Sequence, residues 1–358
     1  MKPRARDLGL PFPGEPGPRN AITDVPGVCL GVSTIVEDGV RTGVTAILPR
    51  GHDPIPRPVW AGFHALNGNG EMTGVHWIND GGWFVGPICL TNTHSVGTVH
   101  QAAVRWMIET YRDAWSRRHL WAMPVVAETY DGLLSDINGL HVKEEHALAA
   151  LRGANPGPVP EGNAGGGAGM ICYEFKGGTG TSSRRLAVAG RGHHIAALVQ
   201  ANHGRREWLT ILGVPVGRCF AEDRMSLERE LGSIIVILAT DLPMAPHQLR
   251  RLAKRAALGI GRGGTPGGNN SGDIFLAFST ADVREMPQLS PPLLTMEYVN
   301  DEELDPIYLA AVDAIEEAVV NALIAAEDTP TFRPPGKICR ALPHGQLLEI
   351  MRRFGRIE

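Results

Sequence analysis

Two hydrophobic patterns divide this chain. Nearly continuous apolar runs of strand length lie at 28–36, 43–48, 120–127, 195–202, 233–240 and 274–279. Runs of this kind, rich in Val, Ile and Phe and bounded by Gly or Pro, predict strands buried on both faces. The first two bracket Glu37-Asp38-Gly39, which predicts a hairpin. Amphipathic stretches predict helices over 97–115, with Ser95 as N-cap, and over 143–152, 247–258 and 305–326. In the last, Tyr308, Ala311, Val312, Ile315, Val319, Ala322 and Leu323 form one apolar stripe. Residues 66–71, 153–169 and 286–296 read as loops. Buried strands with helices on either side predict a layered α/β architecture.

Composition narrows the class. A chain of 358 residues with a formal net charge of −4 and no basic run gives no indication of nucleic acid binding. Five cysteines (29, 89, 172, 219, 339) are scattered without a Cys-x-x-Cys pair, so they read as reduced core residues. Residues 1–19 are polar and proline-rich, without the apolar core of a signal peptide. They are expected along the surface or against a neighbouring subunit. No stretch is apolar enough to span a membrane, and the expected compartment is the cytoplasm.

The chemistry centres on residues 263–273, Gly-Gly-Thr-Pro-Gly-Gly-Asn-Asn-Ser-Gly-Asp, which run straight into the last apolar strand. Ser271 therefore sits where a glycine-rich loop enters a core strand. Glycines 267, 268 and 272 permit a bent backbone in which the Ser271 hydroxyl approaches the carbonyl of Asn270. An ester formed there and then hydrolysed would leave Ser271 as a new N-terminus. Its α-amine, with an ordinary pKa of about 7.7–8.0, suits a general base, so nucleophile and base would belong to one residue. The local pattern also fits an ordinary Asn-Asn-Ser-Gly turn.

Other motifs exclude more than they propose. His64, His76, His94, His100 and the pair His193-His194 lack metal-site spacing, and no metal is expected. The glycines at 165–167 and the segment Lys176-Gly177-Gly178-Thr179-Gly180-Thr181 lack phosphate-loop spacing. Both read as tight turns near the site, and no cofactor is expected.

The block 267–280 resembles the self-cleavage site of the DmpA-type aminopeptidases, which include L-aminopeptidase/D-esterases and β-aminopeptidases. Blocks at 20–28, 124–132, 175–184, 199–204, 213–217 and 239–241 match the same family in order. The resemblance implies a four-layer αββα sandwich like that of N-terminal-nucleophile hydrolases with different connectivity. It implies one domain over 1–358, cut between Asn270 and Ser271 into chains 1–270 and 271–358. It implies Ser271 as nucleophile, Glu317 as its proton-handling partner, Asn202 and Tyr130 as oxyanion donors, and Glu128 as the anion that binds the substrate's free amine. The substrate would be a short peptide, amide or ester, without metal or cofactor, and the assembly a tetramer of cleaved heterodimers. In the last helix the family carries a hydroxyl residue before Glu-Glu; here Ile315 precedes Glu316-Glu317, and Glu316 reads as structural. Two alternatives stand: an acyltransferase like the ornithine acetyltransferases, whose nucleophile is Thr, and a non-catalytic relative with a decayed site.

Overall fold

The computed structural model describes residues 2–220, 222, 224–225, 230 and 232–358. In chain order its principal strands are β1 (Cys29–Glu37), β2 (Val40–Leu48), β3 (Val59–Ala65), β4 (Trp83–Phe84), β5 (Ile88–Asn92), β6 (Val125–Thr129), β7 (Gly178–Val188), β8 (Arg191–Asn202), β9 (Ser233–Thr240) and β10 (Gly272–Ser279). They form two sheets, ordered β1-β2-β5-β6 and β4-β3-β10-β9-β8-β7. The β5–β6 and β9–β10 pairs are parallel. The helices that cover them are α1 (Val96–Thr110), α2 (Glu144–Arg152), α3 (Pro246–Lys254), α4 (Ala256–Arg262) and α5 (Leu304–Ile324).

Side chains alternate across a strand, and that period sorts the core into layers. Leu30, Ile47, Ile88 and Leu90 of the small sheet meet Ala196, Leu198, Ile235, Ile237 and Leu276 of the large sheet. On the outer side of the small sheet, Val44, Ala46, Cys89 and Val126 pack under Val99, Ala103, Ala147 and Leu151 of α1 and α2. Beyond the large sheet, Ile195, Val199, Val236 and Phe275 pack under Leu249, Leu252, Ile260, Ala311 and Ile315 of α3, α4 and α5. The result is a four-layer αββα sandwich. The continuous apolar runs are continuous because both of their faces are covered.

Several elements differ from the sequence expectations. Residues 178–181, expected within a tight turn over 176–181, instead open the eleven-residue strand β7. Its glycines serve packing: a Cβ on Gly180 would lie 2.0 Å from the Ala318 carbonyl, so only glycine lets α5 rest on the strand. Hydroxyls replace apolar side chains there, with Thr181 donating to the Ala197 carbonyl and Ser182 to the Ala314 carbonyl. The strand ending at Glu128 is shorter than expected and includes that residue. The helix expected over 97–115 ends at Thr110 and resumes over Arg112–Arg117, and Ser95 stands at its N-cap without a side-chain capping bond. The helix of 247–258 is two helices. The N-terminal segment runs along the surface, with Pro3, Asp7, Pro11 and Glu15 exposed, but it is pinned there by Ala5, Leu10 and Phe12, which are buried in the helix-side core.

Candidate active site

The site lies at one end of the large sheet, where β10 begins. Ser271 is fully buried. Its N–H donates to the Gly268 carbonyl at 2.9 Å, closing a tight turn over Gly268–Ser271. Its Oγ donates to Asp273 Oδ1 at 2.6 Å. Strand periodicity explains that contact, because residues two apart share a face. Burial raises the Asp273 carboxyl above the ordinary aspartate range, against hydrogen bonds that favour its charge.

The loop at 66–71 clamps this turn. Asn67 Nδ2 donates to the Gly268 carbonyl at 3.0 Å and Asn69 Nδ2 to the Asn270 carbonyl at 2.7 Å. The same loop continues to Glu128. The Glu71 N–H donates to Glu128 Oε1 at 3.0 Å, and the Thr93 hydroxyl donates to the other carboxylate oxygen. A Cβ on Gly70 would lie 3.0 Å from Glu128 Oε1 and 3.7 Å from Gly272 Cα. Glu128 and the residue after Ser271 thus face each other across a single glycine. Glu128 is only 3% exposed, and burial raises its carboxyl above the ordinary glutamate range.

Beside the turn lies a cleft of about 180 Å³ whose lining includes Tyr130, Ile171, Asn202, Gly204, Glu230 and Gly232. Asn202 ends β8 with its side chain fixed at both ends. Its Nδ2 donates to the Tyr130 carbonyl at 3.0 Å, and its Oδ1 accepts from the Ile171 N–H at 2.8 Å. Tyr130 is 40% exposed and lines the cleft. Ser233, next to Gly232 of the lining, accepts the Gly272 N–H on its hydroxyl at 3.3 Å. The cleft and the start of β10 are therefore neighbours, although Ser271 does not itself line the cleft.

Ser271, Asn270, Glu128, Tyr130 and Asn202 are thus brought together, and Glu317 is not. Its carboxylate is fully buried on α5 and accepts from Arg6 Nε at 3.0 Å, Asn20 Nδ2 at 2.5 Å and an Arg184 guanidinium nitrogen at 2.8 Å. Asn20 also holds the Ser183 N–H, opposite Ala196 in β8. That row is six residues from Asn202 and three strands from β10, roughly 20 Å or more from Ser271 by strand rise and spacing. The carboxylate that touches Ser271 is Asp273. Ile315 packs against Gly259 in the helix-side core. Glu316 accepts from the Leu212 N–H at 3.3 Å and pairs with Arg262 at 3.4 Å, a structural arrangement. Sequence reasoning missed Asp273, Asn67, Asn69 and Thr93. The spacing of Asp273 from Ser271 on a strand was a usable signal; nothing local marked the others.

A buried serine on a loop-to-strand junction of an αββα sandwich, beside an amide, a tyrosine and a buried carboxylate, defines a hydrolase of the N-terminal-nucleophile type. The profile of peptidase family S58 matches residues 20–334. The chain is 48% identical to the beta-peptidyl aminopeptidase BapA of Sphingosinicella microcystinivorans, over 99% of this chain and 93% of that protein. Its structure is similar to that of the L-aminopeptidase D-Ala-esterase/amidase of Ochrobactrum anthropi, a prototype serine aminopeptidase with a variant Ntn-hydrolase fold. That match has a TM-score of 0.96 and 57% identity over all of both chains. A Burkholderia sp. beta-aminopeptidase matches with a TM-score of 0.91 and 46% identity, over 99% of each chain. The chain belongs to peptidase family S58 and is a peptide hydrolase of the aminopeptidase kind. None of these relatives favours the acyltransferase alternative.

Proposed function

We propose that the chain cuts itself between Asn270 and Ser271, and that the resulting 1–270 and 271–358 chains form a serine aminopeptidase acting on short peptides, amides or esters. The observation that carries the reading is the junction itself: Ser271 is buried at the head of β10, hydrogen-bonded to a carboxylate, in a turn held by two asparagines. After the cut, the Ser271 hydroxyl attacks the substrate carbonyl and its α-amine moves the proton. Asn202 and the Tyr130 hydroxyl receive the oxyanion, and water resolves the acyl-enzyme. Glu128 holds the substrate ammonium, which would be costly to desolvate without an anion. Glu317 enters this proposal as the buried anchor of Arg6 and Arg184, upstream of the chemistry. Assembly of several cleaved pairs into a homo-oligomer belongs to the same reading.

The test is release of p-nitroaniline from α- and β-alanyl p-nitroanilides by wild type and S271A. Turnover by wild type and none by the variant is the expected result. Equal turnover by both would remove Ser271 from the mechanism.

A further inference from the structure

We propose that the chain carries a second, dedicated catalytic device for its own cleavage: Asn69 as the oxyanion donor to the scissile carbonyl and Asp273 as the base for Ser271. The proposal rests on the self-cleavage reading and deepens it, because it assigns the cut to residues other than those assigned to the substrate.

The geometry separates the two devices. Asn202 lines the cleft, giving one of its two Nδ2 hydrogens to the Tyr130 carbonyl and accepting the Ile171 N–H, and no bond from it reaches Asn270. The Asn270 carbonyl instead accepts from Asn69 Nδ2 at 2.7 Å, so a donor already stands at the oxygen on which the oxyanion would form. The Ser271 hydroxyl donates to Asp273 Oδ1 at 2.6 Å. Asn67 links the parts, donating to the Gly268 carbonyl at 3.0 Å and lying 3.5 Å from Asp273 Oδ2. The Gly268 carbonyl also receives the Ser271 N–H, so the turn is fixed from both sides.

The steps balance within these groups. Asp273 takes the Oγ proton as Oγ adds to the Asn270 carbonyl carbon, and the oxyanion forms where Asn69 donates. Collapse breaks the bond between the Asn270 carbon and the Ser271 nitrogen. That nitrogen leaves as a free amine with the proton Asp273 held, and an ester joins Asn270 to Oγ. Water then adds to the ester and breaks the carbon–Oγ bond, leaving an Asn270 carboxylate and the Ser271 hydroxyl. Burial of Asp273 strengthens it as a base, because its raised pKa brings it nearer the hydroxyl it must deprotonate.

The experiment follows loss of the full-length chain after a cell-free translation pulse, by denaturing intact mass. The chains compared are wild type, N69D, N69A, D273N and N269A. Asn69 is exposed on a loop, so its variants keep the fold. N69D and N69A are expected to cut about 100-fold more slowly or worse, the loss typical of removing one oxyanion donor. D273N is expected to lose a similar factor or more. N269A, on the same turn, stays within threefold of wild type. The wild-type rate falls about tenfold per pH unit once Asp273 is protonated, and a flat acid profile would overturn the role of Asp273. A wild type that cuts while N69D and N69A cut equally fast overturns the proposal and leaves self-cleavage standing. N269A as slow as N69D assigns the effect to turn shape and overturns it too. An uncut wild type removes the self-cleavage reading, and the proposal with it.

Discussion

Two buried acidic regions of this molecule look alike in the sequence and differ in the fold. Around Glu317 the charge is closed: two guanidiniums and the Asn20 amide satisfy the carboxylate on α5. Around Ser271 the charges are open. Asp273 and Glu128 are buried enough to be pushed towards their neutral forms, yet Asp273 bonds the Ser271 hydroxyl and Glu128 faces Gly272 across Gly70. A fully paired buried charge organises a fold; a buried charge with unfilled bonding capacity beside a cleft can do chemistry. Burial of a glutamate is therefore a weak guide to catalysis until its partners are known.

The contrast can be broken in several places. The largest effect is expected from S271A, which should abolish peptide hydrolysis by about 10⁴-fold or more in kcat and leave the chain uncut. E317Q should instead cost stability. It leaves Arg184 and Arg6 facing an uncharged amide, worth about 3–5 kcal/mol by denaturant unfolding. The folded fraction should keep its kcat within a few-fold. A hundredfold fall in kcat at unchanged stability would erase the distinction drawn between the two regions. N202A should lower kcat about 10²–10³-fold with little change in KM, as expected for a donor used in the transition state.

Smaller effects sharpen the open side. Amine recognition needs the Glu128 carboxylate, and its pKa is raised. Thus kcat/KM should fall as pH drops, beginning above the ordinary glutamate value of about 4.3. The Thr93 hydrogen bond opposes that rise, so T93V should move this acid limb to higher pH. A limb unmoved in T93V would detach it from Glu128.

Much of this fold was legible because its strands are buried on both faces, which makes apolar runs such as 233–240 unmistakable. Strand β7 was not. Its two faces are built largely of Gly, Ser and Thr, whose hydroxyls bond to main-chain carbonyls of β8 and α5, and such bonding leaves no hydrophobic signature. The N-terminal segment lies along the surface as its composition suggested, but what ties it down was not legible: Arg4 and Arg6 look like surface residues until their buried partners are seen. At the site, Ser271 was legible from its loop-to-strand junction. The role of Glu128 came from resemblance; its position at the end of β6 leaves it buried across Gly70 from Gly272. Asn69 was illegible because its contact spans 201 residues of chain; an Asn-Gly-Asn-Gly loop carries no local sign of what it will clamp.

The central claim is that Ser271 becomes a new N-terminus. The most direct test is the intact mass of freshly purified protein under denaturing conditions. The account predicts two fragments that meet between Asn270 and Ser271. A single full-length species that persists on long incubation would contradict it.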